Sequence, residues 1–147
     1  MIEIEGLKKR FGQSIALDEV SMHVRDGAMY GFVGPNGAGK TTTIRCMMGL
    51  LAADGGKLLI NGIDMEKEPK KALSQIGYIP DDFGVYDNLK VLEYMEFFAS
   101  CYGITGLSAR KRSMTLLDQV GLEGKSDFYV DSLSKGMKQR LCLARAL

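Results

Sequence analysis

Residues that usually carry specialised chemistry are scarce in this chain. It has three cysteines, Cys46, Cys101 and Cys142, and one histidine, His23. The cysteines lie far apart in apolar stretches without metal-ligand spacing, and their odd number argues against a disulfide framework. We therefore predict reduced thiols in the core of a cytoplasmic protein. His23 is expected on the exposed side of a strand and is assigned no chemistry.

An excess of charge of one sign and long apolar runs are also lacking. The 147 residues include 19 Lys and Arg against 18 Asp and Glu, so nothing indicates nucleic acid as a partner. No run approaches the roughly 18 apolar residues of a membrane-spanning helix, and the acidic start Met1–Glu5 has no apolar signal segment. At a membrane, the chain would have to act through another polypeptide, without direct insertion.

The chain does contain a phosphate-binding loop at Gly34–Thr42. This stretch fits G-x-x-x-x-G-K-[ST] at every fixed position. Its flanks agree, because Ala28–Val33 is an apolar run typical of a buried strand and Lys40–Leu51 has apolar residues at helical spacing. The candidate binding residues are Gly34, Pro35, Asn36, Gly37, Ala38, Gly39, Lys40, Thr41 and Thr42.

The residue types in this loop suit a triphosphate. Glycines let backbone N–H groups approach the oxygens, and the start of the next helix aims further N–H groups at the same point. Lys40 supplies a positive charge for the β- and γ-phosphates, and the Thr41 hydroxyl can bind Mg²⁺. The alternative is a glycine-rich turn before an ordinary helix.

Hydrophobic periodicity predicts strands first and helices later. The predicted strands are Ile2–Phe11, Ile15–Val24 with a register slip near Asp18–Glu19, Lys57–Ile60 before an Asn61-Gly62 turn, and Ile76–Ile79. A short helix is predicted over Pro69–Gln75, with Pro69 in its first turn.

From Leu89 onward the spacing becomes helical. The first of these helices carries an apolar face from Val91 to Tyr102. A second is capped by Ser108, with Met114, Leu116, Leu117 and Val120 inward and Arg110, Lys111 and Arg112 outward. The last helix begins near Ser134 and places Met137, Leu141 and Ala144 on one stripe.

The second informative motif is Leu133–Arg140, which reads Leu-Ser-Lys-Gly-Met-Lys-Gln-Arg. Together with the phosphate loop, it resembles the nucleotide-binding domain of ATP-binding cassette (ABC) proteins, whose signature reads Leu-Ser-Gly-Gly-Gln. Leu133, Ser134 and Gly136 match, whereas Lys135 and Met137 depart from the pattern. The resemblance implies an α/β P-loop NTPase of ABC type with an N-terminal antiparallel β part, a helical subdomain and an incomplete core sheet.

The resemblance also implies a domain organisation and a partner. Residues 1–147 would be one partial nucleotide-binding domain, with an ATP-binding core over about 1–88, a helical subdomain over about 89–135, and the start of the return to the core over 136–147. Ser134 can be a plain N-cap, and in this family the same helix start contacts the ATP held by a second nucleotide-binding domain. Both roles can hold together.

Two further positions are carried over from the family. Phe11 stands where an aromatic usually stacks on adenine, with a core phenylalanine as the alternative. Asp81 stands at the glutamine-loop position, where a carboxylate could approach Mg²⁺ or water but could not donate as an amide does.

The family's Walker B Asp, catalytic Glu and switch His have no counterpart in this sequence, and neither does the strand expected beside Ala28–Val33. The sequence stops inside a predicted helix, at Leu147. We therefore expect a truncated domain that is marginally stable and hydrolyses ATP poorly alone.

The function implied is the ATP-binding subunit of an ABC transporter. It would use ATP and Mg²⁺ with a membrane permease, at the cytoplasmic face of the cell membrane, in an exporter-type system. The alternatives are a soluble ABC ATPase without a permease and a non-catalytic nucleotide-binding fragment. A GTPase is a further alternative, because Asp81–Gly84 formally fits D-x-x-G.

Overall fold

The computed structural model describes residues 1–80 and 88–147, which divide into two compact units, Met1–Gly77 and Tyr78–Leu147. The first unit contains the phosphate loop and the second contains the Leu133–Arg140 motif. The domain boundaries proposed from the sequence, near residues 88 and 135, stay a prediction.

The first unit is built on a four-stranded antiparallel sheet in the order β2-β1-β3-β4. Its strands are β1 (Ile2–Phe11), β2 (Ser14–Val24), β3 (Gly55–Ile60) and β4 (Ile63–Asp64). The alternating pattern of the first strand and the Asn61-Gly62 turn are confirmed. The buried core of this unit is formed by strand and helix residues together. The strands contribute Ile4, Leu7, Leu17, Leu58 and Ile60, and the helices contribute Cys46 and Ala72.

The β1–β2 hairpin is irregular where the sequence predicts a slip. Leu7 pairs with Val20 and Lys9 with Leu17, so β2 contains one more residue than β1 between these pairs. Glu19 lies in this stretch with φ of 52°. An extra residue of this kind is a β-bulge, which bends the strand and increases its twist.

Two helices complete the first unit. They are α1 (Lys40–Met47), directly after the phosphate loop, and α2 (Pro69–Leu73), with Pro69 in its first turn as predicted. Both end earlier than the periodicity indicated, at Met47 and Leu73 in place of Leu51 and Gln75.

Two predicted strands are absent from the described residues. The stretch 28–33 has no strand structure, and Met29 and Val33 are exposed, so the prediction of a buried strand is wrong here. Residues 76–79 also lack strand structure, and Ile79 is exposed. A strand requires a neighbour that accepts and donates backbone hydrogen bonds, and neither stretch pairs with a described segment.

The second unit is helical. It contains α3 (Val91–Cys101), α4 (Gly106–Gln119), a 3-10 turn (Glu123–Lys125) and α5 (Lys135–Ala146). Its core residues come from all three helices and from the segment before α5: Val91, Leu92, Tyr94, Met95, Leu117, Leu122, Val130, Leu133, Leu141 and Ala144. The apolar stripe predicted for the last helix is confirmed, with Met137 packing against this core.

The start of α4 differs from the prediction. Its N-cap is Thr105, and Ser108 lies exposed inside the first turn. Gly106 takes the first helical position, so the cap assigned to Ser108 is wrong. The inward and outward faces are as predicted, because Leu117 is buried and Arg110, Lys111 and Arg112 are exposed.

All three cysteines are free thiols, but only two belong to the core. Burial raises the pKa of the Cys46 and Cys142 thiols, which keeps them protonated and unreactive. Cys101 is exposed at the end of α3, so its assignment to the core is wrong. In the described part of the chain, no helix has both the length and the apolar character needed to span a membrane.

Candidate functional site

The phosphate loop leads directly into α1, the order that its sequence motif requires. Gly37 and Gly39 have φ of 84° and 83°, in the left-handed region that favours glycine. Gly39 is the N-cap of α1 and has no side chain that could bond the first turn. The helix therefore begins with its N–H groups uncapped by any neighbouring side chain.

Gly39 also lies against β2. A Cβ atom at this position would be 2.7 Å from both the Ala16 carbonyl oxygen and Leu17 Cδ2. The β1–β2 hairpin therefore touches the loop and fixes the start of α1 on the sheet. By contrast, a Cβ atom at Gly37 would meet no atom within 4 Å.

Lys40 folds back over the loop. Its ammonium donates to the carbonyl oxygens of Gly34 at 2.5 Å and Pro35 at 2.7 Å. The positive charge is thus held beside the backbone of the loop, where anionic oxygens that approach the loop would meet it.

The backbone of the loop offers donors to such an anion. Ala38 N–H donates to the Pro35 carbonyl at 3.2 Å, closing the turn. Among residues 1–80 and 88–147, no protein group accepts from the N–H groups of Gly37, Gly39 and Lys40. Several available backbone donors at a helix N-terminus, together with a lysine ammonium, have the composition of a phosphate site.

The threonines after Lys40 have different surroundings. Thr41 is exposed and Thr42 is half-buried. Thr41 lies in the first turn of α1, and its role as a Mg²⁺ ligand stays a prediction. Thr43, which sequence reasoning passed over, is fully buried, and its hydroxyl donates to the Gly39 carbonyl at 3.0 Å. The three consecutive threonines were the available signal for this anchor.

Phe11 is the last residue of β1 and pairs with Ser14 across the hairpin turn. Its side chain is 52% exposed, which argues against the alternative of a core phenylalanine. The Lys9 ammonium lies 5.8 Å from the centre of its ring. A half-exposed aromatic ring is available for stacking, and its contact with adenine stays a prediction.

The signature motif divides into buried and exposed residues. Leu133 is buried in the core, and Met137 packs against that core. Ser134, Lys135 and Gly136 are exposed at the start of α5. Ser134 caps this helix, because its hydroxyl oxygen accepts from the Met137 N–H at 3.3 Å. The prediction of an N-cap is confirmed, and contact of Ser134 with phosphate stays a prediction.

Two basic residues of α5 form structural hydrogen bonds that the sequence pattern did not reveal. Arg140 donates to the carbonyl oxygens of Val120 at 2.9 Å and Gly121 at 3.2 Å, where α4 ends. Lys138 donates to the Asp131 carbonyl at 2.9 Å. These bonds tie the signature helix to the segments before it.

Other predicted positions fall outside the description. Asp81, at the glutamine-loop position, and the rest of Asp81–Gly84 lie outside the described residues. Among the described residues, no three His, Cys, Asp or Glu side chains cluster as a metal site.

Comparison with known proteins agrees with these motifs. The profile of the ABC transporter family matches residues 17–147. The probable multidrug ABC transporter ATP-binding protein YbhF of Escherichia coli is 37% identical over 147 residues, all of this chain and 25% of that protein. The Nod factor export ATP-binding protein I of Ralstonia nicotianae is also 37% identical, over all of this chain and 46% of that protein.

A relative named for import matches at the same identity. The methionine import ATP-binding protein MetN 1 of Oceanobacillus iheyensis is 37% identical over 155 residues, all of this chain and 46% of that protein. The chain thus spans about a quarter to a half of the length of these relatives.

A solved structure supports the same assignment for the fold. It is described as the ATP binding subunit of an ABC transporter, is 31% identical, and matches with a TM-score of 0.86 over 99% of this chain and 60% of that one. The resemblance read from the phosphate loop and the signature is therefore confirmed, and the chain belongs to the ABC transporter family, with the α/β fold of its ATP-binding subunits.

Proposed function

We propose that this chain binds Mg·ATP as the nucleotide-binding part of an ABC transporter ATPase. The observation that carries the proposal is the loop Gly34–Thr42. At this helix start, backbone N–H groups that have no acceptor among the described residues come together with the Lys40 ammonium and with Thr41. Membership of the ABC transporter family supports it.

Each residue has a role that follows from its position. The N–H groups of the loop would donate to the phosphate oxygens, and Lys40 would exchange its carbonyl partners for the β- and γ-phosphates. Thr41 would hold Mg²⁺, which neutralises charge on the same phosphates when bound. Phe11 would stack on the adenine ring, for which its exposed ring leaves room.

The second nucleotide-binding domain of a dimer would meet α5. Ser134 and Gly136 are exposed at its N-terminus, and the Ser134 oxygen accepts only one hydrogen bond among the described residues. Its hydroxyl hydrogen can still donate to a phosphate oxygen, so capping and nucleotide contact are compatible. A partner domain would thus share its ATP with this helix.

The wider assignment includes transport. We propose that the whole protein couples ATP hydrolysis to transport by a membrane permease, at the cytoplasmic face of the membrane, in an exporter-type system. The name of the Nod factor relative supports export, although a relative named for import matches at the same identity. The 147 residues alone should bind nucleotide but hydrolyse it slowly, because no residue of this sequence matches the family's Walker B Asp, catalytic Glu or switch His.

Titration of the 147-residue chain with Mg·ATP tests the binding step. We expect Lys40→Ala to weaken ATP binding by about 10- to 100-fold, the range for charge-assisted hydrogen bonds to phosphate. Lys111→Ala is the matched control, since it removes the same charge from an exposed position on α4. Equal affinity of the parent and Lys40→Ala chains, with both folded, would overturn the proposal. Stronger binding of GTP than of ATP would favour the GTPase alternative.

A further inference from the structure

Asp54 ties the loop after α1 to the end of β1. β3 pairs with β1 from Ile60 opposite Ile2 as far as Gly55 opposite Lys8. The next contact is made by Asp54, whose N–H donates to the Lys8 carbonyl at 2.9 Å and whose Oδ2 accepts from the Arg10 N–H at 2.7 Å. The Asp54 carboxylate therefore continues the backbone ladder beyond the end of β3.

The other oxygen of the same carboxylate holds Lys9. Asp54 Oδ1 accepts from the Lys9 ammonium at 2.8 Å, and the Lys9 side chain is only 12% exposed. The Lys9 hydrogen bond, followed by that of the Arg10 N–H, lowers the pKa of the Asp54 carboxyl. Asp54 is thus ionised at neutral pH and keeps both bonds.

Lys9 and Arg10, the two partners of the Asp54 carboxylate, immediately precede Phe11. Arg10 is its chain neighbour, and the Lys9 ammonium lies 5.8 Å from the centre of its ring. Phe11 is the last residue of β1, where it pairs with Ser14 across the hairpin turn, and its side chain is half-exposed. Besides this pairing with β2, the position of its ring depends on how firmly Asp54 holds residues 9 and 10 from the other side.

We propose that Asp54 is a positioning residue for the nucleobase: it fixes the end of β1 and the Lys9 ammonium so that the Phe11 ring is held ready for stacking. This inference rests on the proposed function and adds a residue outside the phosphate loop and the signature. It predicts that Asp54 affects recognition of the base without affecting recognition of the phosphates.

Comparing two ligands on the same chain separates recognition of the base from recognition of the phosphates. Mg·ATP carries a base, whereas inorganic tripolyphosphate with Mg²⁺ carries only the phosphate chain. Base–aromatic stacking changes affinity by about 5- to 150-fold in other proteins, so partial misplacement of the ring should lower ATP affinity by about fivefold in Asp54→Ala. Its tripolyphosphate affinity should equal that of the parent, which also shows that the variant is folded.

Further variants make the test specific. Glu68→Ala is the control, because Glu68 is also paired with a lysine, Lys71, at 3.2 Å, and should leave both affinities unchanged. Phe11→Ala should remove the preference for ATP, and adding Asp54→Ala to it should have no further effect. Since the chain has no tryptophan, Phe11→Trp supplies a single tryptophan, and the quenching of its fluorescence by ATP should weaken when Asp54 is also replaced.

The outcomes are distinguishable. Loss of ATP affinity with tripolyphosphate affinity retained supports the inference. Unchanged ATP affinity in Asp54→Ala, an equal loss for both ligands, or an additive effect in the double variant would overturn it while the proposed function stands. Failure of the parent chain to bind tripolyphosphate in a Lys40-dependent manner would overturn the proposed function and the inference together.

Discussion

The two helices that carry the nucleotide motifs begin in opposite ways. α1 follows Gly39 at φ of 83° and receives no side-chain cap, whereas α5 follows Ser134, whose hydroxyl accepts from the Met137 N–H. The first helix leaves its N–H groups available and adds a lysine ammonium beside them. The second satisfies one N–H internally and keeps a hydroxyl hydrogen to donate. On the proposed function, we therefore expect the stronger anion site at α1 and a weaker, supplementary one at α5.

The supports of the two helices differ as well. α1 is held by close contact of Gly39 with Ala16 and Leu17 of the sheet. α5 is held by the bonds from Arg140 to the end of α4 and by its apolar stripe. Steric contact thus fixes the first helix start and polar contact helps to fix the second, which can be tested by substitution.

The largest effect is expected for Gly39→Ala. The new Cβ would overlap Ala16 and Leu17, and alanine at this positive φ is strained, so the free energy of unfolding should fall by about 3 kcal/mol. Gly37→Ala is the matched variant, with nearly the same φ but no atom within 4 Å, and should lose only about 1 kcal/mol. Urea denaturation followed by circular dichroism gives both values. Equal losses would contradict the steric argument.

The next largest loss of unfolding free energy is expected for Arg140→Met. It keeps the aliphatic stem but removes the bonds to Val120 and Gly121, so we expect a loss of about 1.5 kcal/mol in unfolding free energy. Arg110→Met serves as the comparison, since Arg110 lies 3.6 Å from Glu96 in an exposed pair that should contribute less than about 0.5 kcal/mol. Similar results for the two arginines would show that the contact with α4 does not hold the signature helix.

Ser134→Ala should lower the unfolding free energy by about 1 kcal/mol, since it removes the cap of α5. Ser108→Ala tests the corrected start of α4: Ser108 is inside the helix, where alanine has the higher helix propensity, so this change should be neutral or slightly stabilising. Hydrogen exchange at the Met137 N–H should accelerate only in Ser134→Ala. A larger loss of unfolding free energy in Ser108→Ala than in Ser134→Ala would show that Ser108 is the cap of α4.

The smallest effect is a pH dependence in the first unit, where Asp54 accepts a backbone N–H as Ser134 does in the second. The pKa of the Asp54 carboxyl is lowered in the folded chain, mainly by the Lys9 hydrogen bond and then by the Arg10 N–H. The ionised carboxylate therefore stabilises the fold above its unfolded pKa, and this stabilisation is lost as the pH falls below about 4. The stability difference between the parent and Asp54→Asn should therefore shrink at acidic pH. A difference that grows on acidification would have the wrong sign.

Local signals in the sequence were sufficient for several elements. The alternation in β1, the slip near Glu19, the turn at Asn61-Gly62 and the cap at Ser134 each depend on a few neighbouring residues. The phosphate loop was recognisable for the same reason, because its geometry is fixed by its own glycines and by the helix that follows.

The errors in the predicted strands concern features that depend on distant residues, whereas the cap assigned to Ser108 was a local error. An apolar run such as 28–33 is a strand only when another strand lies beside it, and its composition cannot supply that partner. Ser108 has a good capping side chain, but the helix starts earlier at Gly106. Likewise, the bonds of Asp54 to β1 join residues more than forty positions apart, so no local pattern could reveal them.

The exposure of Met29 has a practical consequence. Its thioether is accessible to solvent, whereas that of Met95 in the core of the second unit is shielded. Mild peroxide should therefore convert Met29 to its sulfoxide well before Met95. Mass spectrometry of that modification would serve as a chemical footprint of the stretch 28–33, and slower oxidation of Met29 in a longer polypeptide or an assembly would reveal that another segment covers it.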